Sequence, residues 1–151
     1  MNIRKIKKEE MPELFELYSH YTDNSENLIP ITDSQYKQIY SDIEANPGVN
    51  YFVMEVDNKI VSACILSITP SILRGGSGYG VLEHMVTHSD YRRRGLGQKI
   101  LEFSLNFAWY HGCTEVMLLS GTNLEVAHKL YEGLGFDKFQ RKGFIKLKPK
   151  K

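Results

Sequence analysis

The order of elements along the chain predicts an α/β fold of the α+β kind, a mixed sheet covered by helices. Three observations carry that expectation. Strand-like apolar runs are interspersed with segments whose apolar residues recur at helical spacing. Two of the strand runs meet at Asp57-Asn58, residues suited to the tight turn of an antiparallel hairpin. A third run, Val116 to Leu119, is continuously apolar between polar residues, the pattern of a strand buried in the middle of a sheet.

In chain order, Asn2 to Ile6 reads as a short strand. Met11, Leu14, Phe15, Tyr18 and Tyr21 then recur as one face of a helix. Tyr36, Ile39, Tyr40 and Ile43 mark a second helix, which Asn46-Pro47-Gly48 stops. The hairpin strands run from Tyr51 to Val56 and from Ile60 to Ile68. A Gly-rich connection, Arg74 to Gly80, leads into a strand over Val81 to Thr87. Leu96, Ile100, Phe103 and Phe107 place an apolar stripe on the next helix, widened by Leu101, Leu105 and Ala108 and ended by His111-Gly112. After Val116 to Leu119, a last helix carries Leu124, Ala127, Tyr131 and Leu134 and closes at Gly133 and Gly135. Two short strands, near Phe136 to Gln140 and Phe144 to Leu147, complete the order β-α-α-β-β-β-α-β-α-β-β.

The 151 residues suit a single domain, 1–151, with a real core, and 42% hydrophobic with 25% charged residues is the composition of a soluble globular protein. A net charge of +1 gives no general attraction to nucleic acid or to a membrane. Cys64 and Cys113 both lie in apolar runs and read as small buried side chains. The polar N-terminus and the lack of a spanning apolar stretch lead us to expect a cytoplasmic protein, with the basic residues 146–151 as a solvated end.

One helix start breaks the charge rule. The N-terminus of a helix carries unpaired N–H groups and a partial positive charge, so acids belong there. Glu9 and Glu10 precede one helix, Asp33 opens another, and Thr122 with Glu125 has the spacing of a capping box before a third. The segment from Tyr91 to Lys99 instead opens its helix with Arg92, Arg93, Arg94, Gly95 and Gly97 and no acid. A multiply charged anion such as a phosphate would resolve the conflict, because glycines let backbone N–H groups approach its oxygens and arginines pair with its charge. The pattern Gly-x-x-x-x-Gly-Lys-[Ser/Thr] of a nucleotide-hydrolysing phosphate loop does not occur.

The segment Arg92-Arg93-Arg94-Gly95-Leu96-Gly97 fits the [Gln/Arg]-x-x-Gly-x-[Gly/Ala] signature of the GNAT N-acetyltransferase superfamily. It follows the strand Glu83 to His88 and begins a helix, as in that family. The stretch Thr122 to Phe136 resembles the family's Asn…Ala…Tyr-Glu…Gly-Phe block, and the strand–helix order matches over nearly the whole chain. Ser89 stands where relatives often carry proline, a difference in loop stiffness more than in chemistry.

The resemblance implies a central mixed sheet flanked by helices, in which the strand before the phosphate loop splays from the next, parallel strand. It implies acetyl-CoA as co-substrate, with no metal, its pyrophosphate on Arg92, Arg93, Arg94, Gly95, Leu96, Gly97 and Gln98. The pantetheine arm then lies along the backbone of Met85, Val86 and Thr87, with the Val86 N–H as first choice to bond the thioester carbonyl, and Asn123 as a further contact. An alkylamine with a pKa of about 10.4 is mostly protonated near pH 7, so a base must take its proton. Glu83 is the first choice: an acid in an apolar strand, two residues from Met85 and so on the same face, whereas His84 faces the other way and His88 lies at the strand end. Either histidine remains an alternative. Tyr131 is the candidate acid for the departing thiolate.

Tyr18, Tyr21, Tyr36, Tyr40 and Tyr79 supply aromatic candidates for the acceptor site, and Glu26 and Asp33 acids that attract an amine. A small-molecule primary amine is the leading acceptor class, ahead of a peptide N-terminus or lysine; a homodimer is compatible. A non-catalytic CoA-binding module would not need both Glu83 and Tyr131, and a nucleic-acid-binding role lacks a basic stripe.

Overall fold

A computed structural model describes residues 1–21 and 28–149. It divides into two compact units, Met1–Leu118 and Leu119–Lys151.

The first unit is built on a five-stranded sheet in the order β1-β2-β3-β4-β5. Its strands are β1 (Asn2–Lys5), β2 (Val49–Val56), β3 (Lys59–Thr69), β4 (Gly78–Thr87) and β5 (Cys113–Leu118). The first three pairings are antiparallel and β4–β5 is parallel. Asp57 and Asn58, with φ of 51° and 59°, form the left-handed pair that a two-residue hairpin of matching twist requires. β4 starts at Gly78, so Gly78 and Gly80 belong to the sheet and not to the preceding connection. At Gly80 an added Cβ would stand 3.0 Å from Val116, so this glycine allows β5 its close approach.

Alternation along β2 divides the core between two faces. Val53 points to the side of helix α1 (Met11–Leu17), where it clusters with Met11, Leu14, Leu17, Ala63 and Val86. Phe52 points the other way, its ring edge-on to Phe103 and Phe107 of helix α3 (Leu96–Tyr110). Phe52, Ile100 and Leu101 are all but inaccessible, and burial of each such side chain contributes about 1.5–3 kcal/mol. Helix α2 (Asp33–Glu44) adds Tyr36, Ile39, Tyr40 and Ile43 to the α1 side. Its start is capped reciprocally: the Gln35 N–H donates to Thr32 Oγ1 at 3.3 Å, and the Thr32 N–H to Gln35 Oε1 at 2.8 Å. Arg4 ties β1 to the start of α1 and to β2 by donating to Glu10 at 2.6 Å and Glu55 at 2.5 Å.

Both cysteines are free and buried. The Cys64 thiol, 3.1 Å from Ser104 Oγ, is pushed up to about 11 by burial, so it is a packing residue and not a nucleophile. Among the described residues no helix is long and apolar enough to cross a membrane.

The second unit holds helix α4 (Glu125–Gly133). Its end is a Schellman closure: the Phe136 N–H donates to Tyr131 O at 3.1 Å and the Gly135 N–H to Glu132 O at 3.0 Å, with Gly135 at φ 88°. Its start differs from expectation. Leu124 is the N-cap with no side-chain bond, so Thr122 and Glu125 do not form a capping box, and Glu125 serves only as an acid in the first turn.

Two further expectations are corrected. Residues 136–149 contain no strand, and Phe139, Phe144, Ile145 and Leu147 are exposed. Strand propensity at these positions is real, but a strand exists only where a ladder partner does, and none pairs with them among the described residues. β5 is likewise an edge strand of the described sheet, half-buried over most of its length, and not a central one.

Candidate active site

The β4–β5 ladder runs from Gly78↔Cys113 to Leu82↔Leu118 and ends there, while β4 continues to Thr87. Residues 83–87 therefore have no β5 partner, and the backbone on that side is open for a ligand to complete. Toward β3 the register changes in the same stretch. Ile65 pairs with Glu83 but Ala63 with Val86, so His84 and Met85 together face Cys64. This is a β-bulge, and His84 carries it at φ 49°, a conformation that side chains rarely take inside a strand.

The bulge changes one expectation. Simple alternation places Glu83 and Met85 on one face and His84 on the other. In the structure the His84 ring lies edge-on to Tyr18 and Tyr21, at centroid distances of 5.8 and 6.5 Å. Glu83 acts on the Tyr51 phenol, which burial and that carboxylate together raise. Tyr18, Tyr21 and Tyr51 all pack on the α1-side core, so Glu83 and His84 flank the same cluster, both exposed. The extra residue breaks the period of two.

The backbone beyond the bulge follows the ordinary ladder. The His88 N–H donates to Val61 O at 2.9 Å, and ladder alternation then turns Val86 toward β3 as well, paired with Ala63. Thr87, next in the ladder, faces away from β3. Val86 is buried and packs into the α1-side core, and its carbonyl accepts from Ser62 Oγ at 2.8 Å. The Val86 backbone is thus committed to β3.

Beyond β4, a 3-10 turn (Ser89–Tyr91) leads into the Arg-Gly segment. Arg93 at φ 60° and Gly95 at φ 73° alternate with ordinary residues, a geometry that turns successive N–H groups inward. Gly95 is the N-cap of α3, without a side-chain cap and with no acid in the first turn. The first intrahelical bond is Lys99 N–H to Gly95 O at 3.1 Å, leaving the amides of Leu96, Gly97 and Gln98 at the open end. Leu96 is buried and anchors that end, and Gln98 donates to Glu102 along the helix at 2.7 Å. Such a donor set fits a multiply charged anion.

The three arginines divide their work. Arg92 is braced by two carbonyls, Thr87 O at 3.1 Å from Nε and His20 O from Nη2. Arg94 lies over the Tyr91 ring at 5.1 Å, and Arg93 is exposed. Among the described residues none of the three makes an ion pair, which leaves their charge for a ligand. His20 and His88 stack at 4.0 Å, and Lys59 Nζ lies 3.0 Å from His88 Nε2. Burial, with His20 and Lys59 nearby, holds the His88 imidazole below its usual range, so it stays neutral near pH 7.

In the second unit, Tyr131 is half-buried on α4 with its ring edge-on to Phe136 at 6.1 Å. Asn123 is exposed just before the helix. Of the acceptor candidates, Tyr36 and Tyr40 pack on the α1-side core, Tyr79 sits half-buried in β4, and Asp33 occupies the first turn of α2. Glu26 lies outside the described residues. Sequence reasoning missed Tyr51 and His20. Tyr51 is one of several aromatics in apolar runs, and His20 meets His88 only through a contact 68 residues distant in sequence.

A family profile described as acetyltransferase (GNAT) family matches residues 9–136. The chain is 27% identical over 143 residues to a glucosamine 6-phosphate N-acetyltransferase of Trypanosoma brucei brucei, covering 93% of this chain and 92% of that one. It is 28% identical over 116 residues, 74% of this chain and 69% of the other, to glucosamine 6-phosphate N-acetyltransferase 1 of Dictyostelium discoideum. A crystal structure of a Trypanosoma brucei acetyltransferase superimposes with a TM-score of 0.81 at 26% identity, covering 97% of this chain and 99% of that one. With the profile spanning the open strand, the Arg-Gly turn and α4 alike, the chain belongs to the GNAT family of acetyltransferases.

Proposed function

We propose that this enzyme transfers the acetyl group of acetyl-CoA to a primary amine of a small molecule by direct attack in a ternary complex. The observation that carries the reading is the length of β4 beyond its β5 ladder, residues 83–87, running into the uncapped, arginine-bearing start of α3. One end offers strand-like bonds to an extended arm and the other a seat for its pyrophosphate. The resemblance to two glucosamine 6-phosphate N-acetyltransferases supports an amino sugar phosphate as the first acceptor to test.

Acetyl-CoA supplies an activated acyl group on a thiol that leaves readily. The Arg92, Arg93 and Arg94 side chains and the amides from Gly95 to Gln98 bind the diphosphate, while Thr87 aligns the arm. Asn123 adds a bond to that arm. The Met85 N–H stabilises the negative charge that grows on the carbonyl oxygen as the amine attacks. Glu83 accepts the proton the amine gives up, directly or through water, with exposed His84 beside it. Tyr131 returns a proton to the departing sulfur. With a thiol pKa of about 8.5 against about 10 for a phenol, that donation helps turnover without being required for it.

The family match crosses the division at Leu118, which supports treating residues 1–151 as one catalytic domain. Free, buried cysteines suit a reducing compartment, and on that basis we place the enzyme in the cytoplasm. The exposed apolar side chains of residues 139–147 support a homodimer that covers them.

The test is thiol release from acetyl-CoA with glucosamine 6-phosphate at the head of a panel of amines, amino acids and peptides. We expect acceptor-dependent release with a small amine. Release only with peptides would replace the acceptor class, and CoA binding without release for any acceptor would refute the catalytic reading.

A further inference from the structure

Tyr18 ends α1 and opens a 3-10 turn, Tyr18–His20. Its hydroxyl is buried and meets no hydrogen-bond partner among the described residues. Burial, with Tyr51, Cys64 and Tyr21 near it, keeps the phenol neutral at any physiological pH. A buried hydroxyl with no partner among the described residues costs stability, so what this side chain contributes to the fold comes through its ring. That ring, with Tyr21, edges onto His84, the residue that carries the bulge at φ 49°. A residue with a Cβ pays for the left-handed conformation, and such a conformation persists only where its surroundings over-determine it. Edge-on aromatic contacts are of the same order as that cost.

We propose that Tyr18 is a positioning residue. Its ring pins the His84 side chain, the pinned side chain holds the backbone in the bulge, and the bulge directs the Met85 amide into the open side of β4. The inference rests on the acetyl-transfer reading above and adds the element that shapes its carbonyl-binding group. Without the ring, His84 relaxes toward ordinary strand geometry, β4 regains its period of two, and the Met85 amide leaves its place. Acetyl-CoA still binds, because its diphosphate is held at Arg92–Gly97, well along the chain from the bulge.

The test is a cycle of Tyr18→Leu and His84→Gly, assayed by thiol release with saturating acetyl-CoA and glucosamine 6-phosphate or the best amine of the panel. Tyr18→Leu should lower kcat about tenfold, the factor to which the left-handed preference converts, with the Kd for CoA unchanged. Tyr18→Phe, which keeps the ring, should restore turnover relative to Tyr18→Leu. Glycine adopts positive φ freely, so in the His84→Gly background the same Tyr18→Leu change should cost less than about twofold. Tyr18→Met replaces Tyr18→Leu if the latter does not fold. Equal losses in both backgrounds, a CoA Kd that rises with the fall in kcat, or Tyr18→Phe as impaired as Tyr18→Leu overturns the proposal. A His84→Gly chain with no turnover overturns it too, since the imidazole and not the backbone would then be essential. A wild-type chain that releases no thiol with any amine refutes the catalytic reading itself, and the inference falls with it.

Discussion

Replacing Gly95 probes the anion seat through its backbone alone. Gly95 caps α3 at φ 73°, and a Cβ built there meets no atom within 4 Å. Gly95→Ala therefore introduces no clash, and its cost is conformational: about 1–2 kcal/mol for an alanine held left-handed. If the turn keeps its geometry, that cost appears as lost stability, roughly 2–4 °C in Tm per kcal/mol for a chain of this size. If the turn flips to escape it, the amides from Leu96 to Gln98 no longer converge, and CoA binding weakens by about five- to thirtyfold at the same energetic cost. Calorimetric titration with CoA and thermal melts of the free protein separate the two routes. Gly95→Asn should lose less than Gly95→Ala on either readout, because asparagine tolerates the left-handed region. A Gly95→Ala chain that melts and binds CoA like the wild type would refute the argument, as would Asn doing worse than Ala.

Four further outcomes follow from the same geometry. Glu83→Gln should lower kcat by about 10²–10⁴ while leaving CoA affinity intact, read from initial rates and calorimetry. Tyr131→Phe should slow turnover by less than about a hundredfold, and unchanged kcat at saturation would remove it from the proton path. Ile100→Ala, at a fully buried position between α3 and the sheet, should cost about 2–5 kcal/mol, seen as a lower urea midpoint at constant slope. The His88 imidazole is depressed in the folded chain, so the unfolded chain takes up its proton first as pH falls. That share of stability is present above the ordinary histidine range and is lost as pH drops through the lowered value. Melts between pH 7 and 5 should show a steeper fall for wild type than for His88→Gln, and parallel curves would exclude a lowered His88 imidazole.

The features of the candidate site that were legible in the sequence carry local signals. Three arginines and two glycines at one helix start conflict with the helix dipole however the chain folds, and the conflict points to an anion before any contact is known. The hairpin at Asp57-Asn58 and the closure at Gly135 are equally local, each set by one or two φ values. The errors arose where a local pattern needed a remote partner. Phe144 to Leu147 has the composition of a strand, yet pairs with nothing in the described chain. Val116 to Leu119 reads as central by composition, while β5 lies at the sheet's edge. Thr122 and Glu125 have capping spacing, but the N-cap of α4 is Leu124, two residues past the threonine.

By itself the sequence determined the order of the elements as far as α4 and the cationic, acid-free start of α3, because composition, periodicity and dipole rules act over a few residues. Only the tertiary structure decided which way those residues face. The extra residue at His84–Met85 brings Glu83 and His84 to one cluster. Nothing in the run Glu83-His84-Met85-Val86 announces it, because a bulge is a mismatch between two strands, and its register exists only once β3 lies beside β4.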